Sequence, residues 1–241
     1  MKIRHFAAIL VAVLLSGSGA FAALVTHVSA GGYHTAVAKS DGSVWTWGDN
    51  SYGQLGDGTA NASASPIQVP GFLGASAVSA GFSHTIALKS DGTVWAWGGN
   101  SYGQLGDGTF EDRLAPVQVT GLTGVIAVSA GKRHSVALKS DGSVWTWGQN
   151  SYGQLGIGGG SDRSTPVQVT GVAGVTSISA GDMHTMARTS DSLIWAWGYN
   201  SSWQVGGSTS NVISTPSWIA NQTGVSAVAG AVYHSLVALN D

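Results

Sequence analysis

Histidine recurs at positions 34, 84, 134, 184 and 234, one every 50 residues. Each is followed by Ser or Thr and, seven residues on, by Asp, as in His134, Ser135 and Asp141. Imidazole, hydroxyl and carboxylate are the parts of a nucleophilic triad, and imidazoles are also common metal ligands. A triad, however, is a single asymmetric arrangement, whereas this set is written five times. Five histidines on five separate units converge on one ion only if they line a central channel. The expected role is therefore structural, with neutral rings hydrogen-bonded to backbone carbonyls near a turn. Asp49, Asn50, Asp57 and Gly58 have a calcium-loop look, but the spacing is not that of an EF-hand, and Asp49 is replaced by Gly99 and Gln149 in the next copies. Gly156-Ile157-Gly158-Gly159-Gly160 has no following Lys-Ser/Thr and no helix to open, so it is not a phosphate loop. No catalytic residue, metal ligand or cofactor is expected.

The elements that carry these residues are themselves copies. Val44–Thr59, Val94–Thr109 and Val144–Gly159 repeat one phrase, VWxWGxNSYGQLG, and Trp45, Trp95, Trp145 and Trp195 keep the 50-residue interval, as do Trp47, Trp97, Trp147 and Trp197. Each unit reads as four short strands. In the first unit these are Val28–Gly31, His34–Lys39, Val44–Trp47 and a strand starting at Pro66, where a missing N–H does no harm on an edge. Asp41-Gly42 between two apolar runs predicts a two-residue type I′ hairpin. Trp45 and Trp47 share one strand face, with Val44 and Thr46 on the other. A bulky face backed by a smaller one lets sheets stack, with both tryptophans buried between blades. At this period the stack is a β-propeller, with a solenoid as the runner-up.

The phrases AGxxHTxALxSDGxVWxWGxNxxGQLG and PxxV resemble the repeats of the regulator of chromosome condensation family, over Val25 to Asp241. The resemblance implies an all-β propeller of four-stranded antiparallel blades, normally seven. This chain carries four full repeats (25–74, 75–124, 125–174 and 175–224) and a partial fifth (225–241), incomplete or open relative to that ring. Exposed faces on the first and last blades would favour self-association. The family's nuclear nucleotide-exchange role is not carried over, for two reasons found at the start of the chain and in its charge.

Lys2 and Arg4 precede an apolar run, Phe6 to Leu15, and Ala20-Phe21-Ala22 supplies small residues for cleavage. Residues 1–22 thus read as a secretory signal, which makes the chain secreted or periplasmic. Without Lys2 and Arg4 there are eight basic and twelve acidic residues, a net charge of −4, which disfavours nucleic acid and anionic membrane as partners. Cysteine is absent, so the fold holds by packing without disulfides, and a lipid-modified cysteine is excluded. No membrane span is expected after the signal.

The copies differ in few places, and these are the candidate binding residues. The pair before each histidine changes every time: Gly32-Tyr33, Phe82-Ser83, Lys132-Arg133, Asp182-Met183, Val232-Tyr233. The residue after Trp-Gly also changes, ending in Tyr199, as does the stretch before each Pro. In an up-and-down blade these spots fall on one rim, while the near-constant Ser-Asp-Gly turns and blade links fall on the other. Varied loops on a rigid frame make a recognition surface. The expected sites are Tyr33, Phe82, Lys132, Arg133, Asp182, Met183, Tyr199 and Tyr233, reading a protein partner. The alternative is a lectin that holds glycans on loop aromatics, including Tyr199 and Trp203; an enzyme has no unique ionisable cluster to support it.

Overall fold

The computed structural model describes residues 23–219 and 224–240. The first blade is β1 (Val25–Ala30), β2 (His34–Lys39), β3 (Val44–Gly48) and β4 (Ser63–Gln68), hydrogen-bonded in that order as an antiparallel sheet. The second comprises β5 (Ala75–Ala80), β6 (His84–Lys89), β7 (Val94–Gly98) and β8 (Arg113–Gln118). The third comprises β9 (Val125–Ala130), β10 (His134–Lys139), β11 (Val144–Gly148) and β12 (Arg163–Gln168). The fourth comprises β13 (Val175–Ala180), β14 (His184–Thr189), β15 (Ile194–Tyr199) and β16 (Val212–Trp218). A two-stranded ladder, β17 (Val225–Gly230) and β18 (Ser235–Leu239), follows. The first strand of each sheet packs against the first strand of the next, so these strands surround the axis and the fourth strands lie outermost. The result is a propeller arc of four full blades and a half blade.

Alternation within each strand builds the core. On β6 and β7, Ile86, Leu88, Val94 and Ala96 face forward, where they bury Ala137 and Trp147 of the third blade. Trp97 packs backward on Ala36, Ala38 and Val44 of the first blade. The two tryptophans of a pair do share a face; in the first blade Trp45 and Trp47 are both half-buried, and in the next three blades their burial differs. Trp97, Trp147 and Trp197 are fully buried, whereas Trp95, Trp145 and Trp195 are half-buried. Trp95 instead lies under the Lys89 ammonium, 4.6 Å from the ring centre, with its Nε1–H bonded to Thr93.

Three local expectations change. The Ser-Asp-Gly turn is not type I′. Gly42 N–H donates to Lys39 O at 2.9 Å, and only Gly42 has positive φ, at 78°. This is a three-residue loop, a type I turn closed by a left-handed glycine, and Asp41 braces it by accepting from Ser43 N–H at 2.9 Å. The first strand runs Val25–Ala30, ending before Gly31. The fourth strand starts at Ser63, three residues before Pro66. Pro66 stands inside it, at a break in register where Gly48 faces Ser63 and Thr46 faces Ile67. An outermost strand with a bulge has no use for that N–H, so proline is tolerated mid-strand.

Candidate functional site

The histidines act at the joints between blades. His34 Nε2 lies 2.8 Å from Thr85 Oγ1 of the second blade. His84 meets Ser135 at 3.2 Å, His134 meets Thr185 at 3.0 Å and His184 meets Ser235 at 2.9 Å. The partner is thus the hydroxyl that follows the next histidine, not a carbonyl near the turn. Each hydroxyl in turn donates its one hydrogen to the main-chain carbonyl of Gln54, Gln104, Gln154 or Gln204, at 2.6–2.9 Å. Nε2 must therefore be the donor, which leaves Nδ1 as an unprotonated nitrogen, buried without a hydrogen-bond partner among the described residues in all four rings. Gly31 fits beside it because a Cβ there would come within 2.7 Å of the ring. Burial lowers the histidine pKa to about 4 at His34 and His184 and about 3 at His84 and His134. These rings are neutral struts near pH 7.

The aspartates of the calcium-like loop are also committed. Asp49 accepts from Ser51 Oγ at 2.7 Å and Gln54 Nε2 at 2.6 Å, and Asp57 accepts from Thr59 N–H and Asn50 Nδ2. Asn50, Asn100, Asn150 and Asn200 are buried at the loop centres, each taking a main-chain N–H onto Oδ1. Asp107 adds an ion pair with Arg113 at 2.7 Å. Among the described residues no three His, Cys, Asp or Glu gather in a metal-binding group.

The two rims divide as the strand directions demand. Ala75 N–H bonds to Gly42 O and Ser90 N–H to Gly74 O, so hairpin turn and blade link share one rim. Asp49 N–H bonds to Tyr33 O and Tyr199 N–H to Met183 O, so the variable pair and the residue after Trp-Gly share the other. On that rim the ends of the inner strands, mostly glycine and alanine, surround a channel mouth of about 370 Å³. Beside it Tyr33, 68% exposed, meets Phe82 edge-on at 5.3 Å, and Lys132 Nζ stands 5.2 Å over the Phe82 ring. Asp182 O accepts from Lys132 N–H at 3.0 Å.

Further from the axis, Arg133 lies over Tyr102 at 4.6 Å and donates to its hydroxyl at 2.9 Å, while Tyr152 meets Tyr199 edge-on at 5.1 Å. Tyr233 stands apart, at the joint of the fourth blade with β17 and β18. Tyr102 and Tyr152 escape a search for uncopied residues because they belong to the copied phrase NSYGQLG. Only their uncopied neighbours, Arg133 and Tyr199, mark them.

Four-stranded blades around an axis, joined by tryptophan and histidine from a repeat of 50 residues, define a β-propeller of a particular kind. The RCC1-like domain model matches residues 22–237, and the chain belongs to that family. It is similar to the solved structure of Prp20p from Saccharomyces cerevisiae, with a TM-score of 0.79 and 21% identity over 91% of this chain and 57% of that one. Yeast RCC1 (Prp20) bound to Kap60 gives 0.78 and 26%, covering 87% and 52%, and human WBSCR16 gives 0.77 and 22%, covering 87% and 58%. A stretch of 50 residues is 46% identical to the human E3 ubiquitin-protein ligase HERC2, covering 21% of this chain and 1% of the ligase. The chain spans little more than half of the Prp20 and WBSCR16 chains.

Proposed function

We propose that this chain is an exported protein-binding module whose recognition surface is the rim formed by Tyr33, Phe82, Lys132, Arg133, Asp182, Met183 and Tyr199. The observation that carries this reading is that uncopied side chains from successive blades meet there. Tyr33, Phe82 and Lys132 come from three different blades and form one continuous aromatic and cationic surface. Aromatic rings with a cation alongside are the usual anchors of protein interfaces. Lys132 and Arg133 form no ion pair among the described residues, which leaves them free to meet acidic groups of a partner. The structures of Prp20p were described with its binding to Gsp1p and histones and with Kap60 bound, so protein recognition is at home on this fold. The buried imidazoles are occupied in blade joints, and no catalytic role is assigned to them.

Export rests on the sequence of residues 1–22, which lie outside the described residues. An intact mass of the native product beginning near residue 23 tests it. For the rim, alanine at Tyr33, Phe82, Arg133, Met183 and Tyr199 together should leave circular dichroism unchanged and abolish cross-linking to partners in the native extracellular milieu. Undiminished cross-linking by that variant would reject the rim as the recognition surface.

A further inference from the structure

Three copied loops of the variable rim carry a tyrosine at the joint with the next blade. Tyr52, Tyr102 and Tyr152 are held alike, each main-chain N–H bonded to Oε1 of Gln54, Gln104 or Gln154 at 2.9 Å. What differs is the cover that the following blade supplies. It comes from the residue before the histidine or from the residue after Trp-Gly. On the third blade Arg133 lies over Tyr102, 4.6 Å from the ring centre, and donates to its hydroxyl at 2.9 Å. On the fourth blade Tyr199 meets Tyr152 edge-on at 5.1 Å. On the second blade the same two positions are Ser83 and Gly99. The Ser83 hydroxyl rests on Gly99, where a Cβ would come within 2.8 Å of it, and neither residue is long enough to cover a ring. Tyr52 is accordingly 48% exposed, whereas Tyr102 and Tyr152 are half-buried. The uncovered niche lies between two full four-stranded sheets.

The charge around this niche favours a cation. Asp49 belongs to the loop that carries Tyr52, and hydrogen bonds, first of all from the Ser51 hydroxyl, hold its carboxyl below the usual range. Its copies in the other two tyrosine-bearing loops are Gly99 and Gln149, so the loop that lacks a cover is the one that carries an acid. From the second blade, Asp112 accepts from Asn100 N–H, next to Gly99, at 2.7 Å. Neither carboxylate has an ion-pair partner among the described residues. Of the cations on this rim, Arg113 pairs with Asp107, Arg133 stacks on Tyr102 and Lys132 stands over Phe82. An uncovered phenol ring with a carboxylate on each of its two blades suits a flat cation that stacks and donates at once, which is guanidinium rather than ammonium.

We propose that this niche receives an arginine side chain of the partner polypeptide, stacked on Tyr52 and donating to its hydroxyl as Arg133 does to Tyr102 within the chain. The inference rests on the rim as the recognition surface and names one group that the surface reads. Phe82 immediately precedes Ser83 and meets Tyr33 edge-on, so the niche continues into the aromatic surface of the rim. A partner segment along the rim sets its arginine on Tyr52 while a neighbouring apolar side chain meets Phe82. An aromatic side chain, which is what Tyr152 receives from Tyr199, would leave Asp49 and Asp112 without a counter-charge.

The test uses the full chain with isotope-labelled tyrosine and the peptide acetyl-Gly-Arg-Gly-amide. The Tyr52 ring signals, assigned by their loss in Tyr52→Phe, should shift saturably as peptide is added. Counterparts with citrulline or lysine in place of arginine should bind roughly fivefold more weakly. Ser83→Arg, which supplies in cis the side chain that the third blade already carries, should abolish the shift. The peptide comparison leaves the protein untouched, so the proposal does not depend on how well Ser83→Arg folds. A Tyr52 signal that never saturates, or that responds equally to the citrulline peptide, would overturn it. Tighter binding of acetyl-Gly-Tyr-Gly-amide would give the niche to an aromatic side chain and also overturn it. The five-alanine rim variant alters neither Tyr52 nor Ser83, so the two ideas fail separately. Lost cross-linking by that variant without arginine binding keeps the recognition surface and removes the arginine site. Arginine binding with undiminished cross-linking supports the site and rejects the wider surface.

Discussion

A single hydrogen decides each joint. The Thr85 hydroxyl spends its proton on the Gln54 carbonyl, so His34 must hold its own proton on Nε2. Removing the hydroxyl strands that proton in a dry place. Thr185→Val keeps the shape, leaves His134 Nε2–H unpaired and should cost about 2 kcal/mol in urea unfolding. The same burial makes stability depend on pH. The folded pKa values, about 3 to 4, lie below the unfolded value of 6.5, so between them the unfolded chain binds more protons than the native one. Stability is therefore full above pH 6.5 and falls as pH drops toward 4. Each ring contributes a slope of up to about 1.4 kcal/mol per pH unit. Urea midpoints taken from pH 7 to pH 4 should fall steeply, and His134→Phe should make the fall shallower.

The repeated elements show which letters the frame cannot change. In the hairpin turns, Gly42, Gly92 and Gly142 take φ of 78–80°, a conformation that side chains with a Cβ resist. The fourth blade puts Ser192 there at φ 64°, with its hydroxyl accepting from Arg188 Nη2 at 3.3 Å. That contact is long and on the outside of the turn, so relief of backbone strain should win. Ser192→Gly is expected to stabilise the chain by about 1 kcal/mol, and Gly142→Ser to destabilise it by a similar amount, both read from thermal melts. The glycines under the indoles are fixed for a different reason, close approach as well as φ. Gly156→Ala meets both the Trp197 ring and its own φ of 71°, whereas Gly206→Ala meets only the second.

At the scale of the whole molecule the arc is a one-dimensional stack, in which each blade leans only on its neighbours. Among the described residues the middle blades are covered on both faces and the first and last sheets on one. Val28 on β1 is 53% exposed, whereas its counterpart Val78 is 5% exposed, and Leu236 on β18 is 61% exposed, whereas Ile86 is fully buried. Opening should therefore begin at the ends. Hydrogen exchange is expected to show the amides of β6 and β10 as the slowest and those of β17 and β18 among the fastest. Uniform protection along the chain would mean that the end faces are covered in solution.

The sequence alone determined the blade. Fixed 50-residue spacing, strand alternation and the Asp-Gly turns specify four strands per unit and the rim on which each uncopied residue falls, because these depend on local geometry and on strand direction. Turn type and the limits of the fourth strand were less legible, since one glycine φ and one bulge separate the alternatives. Contacts between blades were decided only by tertiary structure. No spacing within a unit announces that His34 reaches a hydroxyl 51 residues away, or that Lys132 stands over Phe82. The close approach of each indole to a glycine of the preceding blade lies at that level too: Gly156 leaves room for the Trp197 ring, a contact made only when the fourth blade packs on the third.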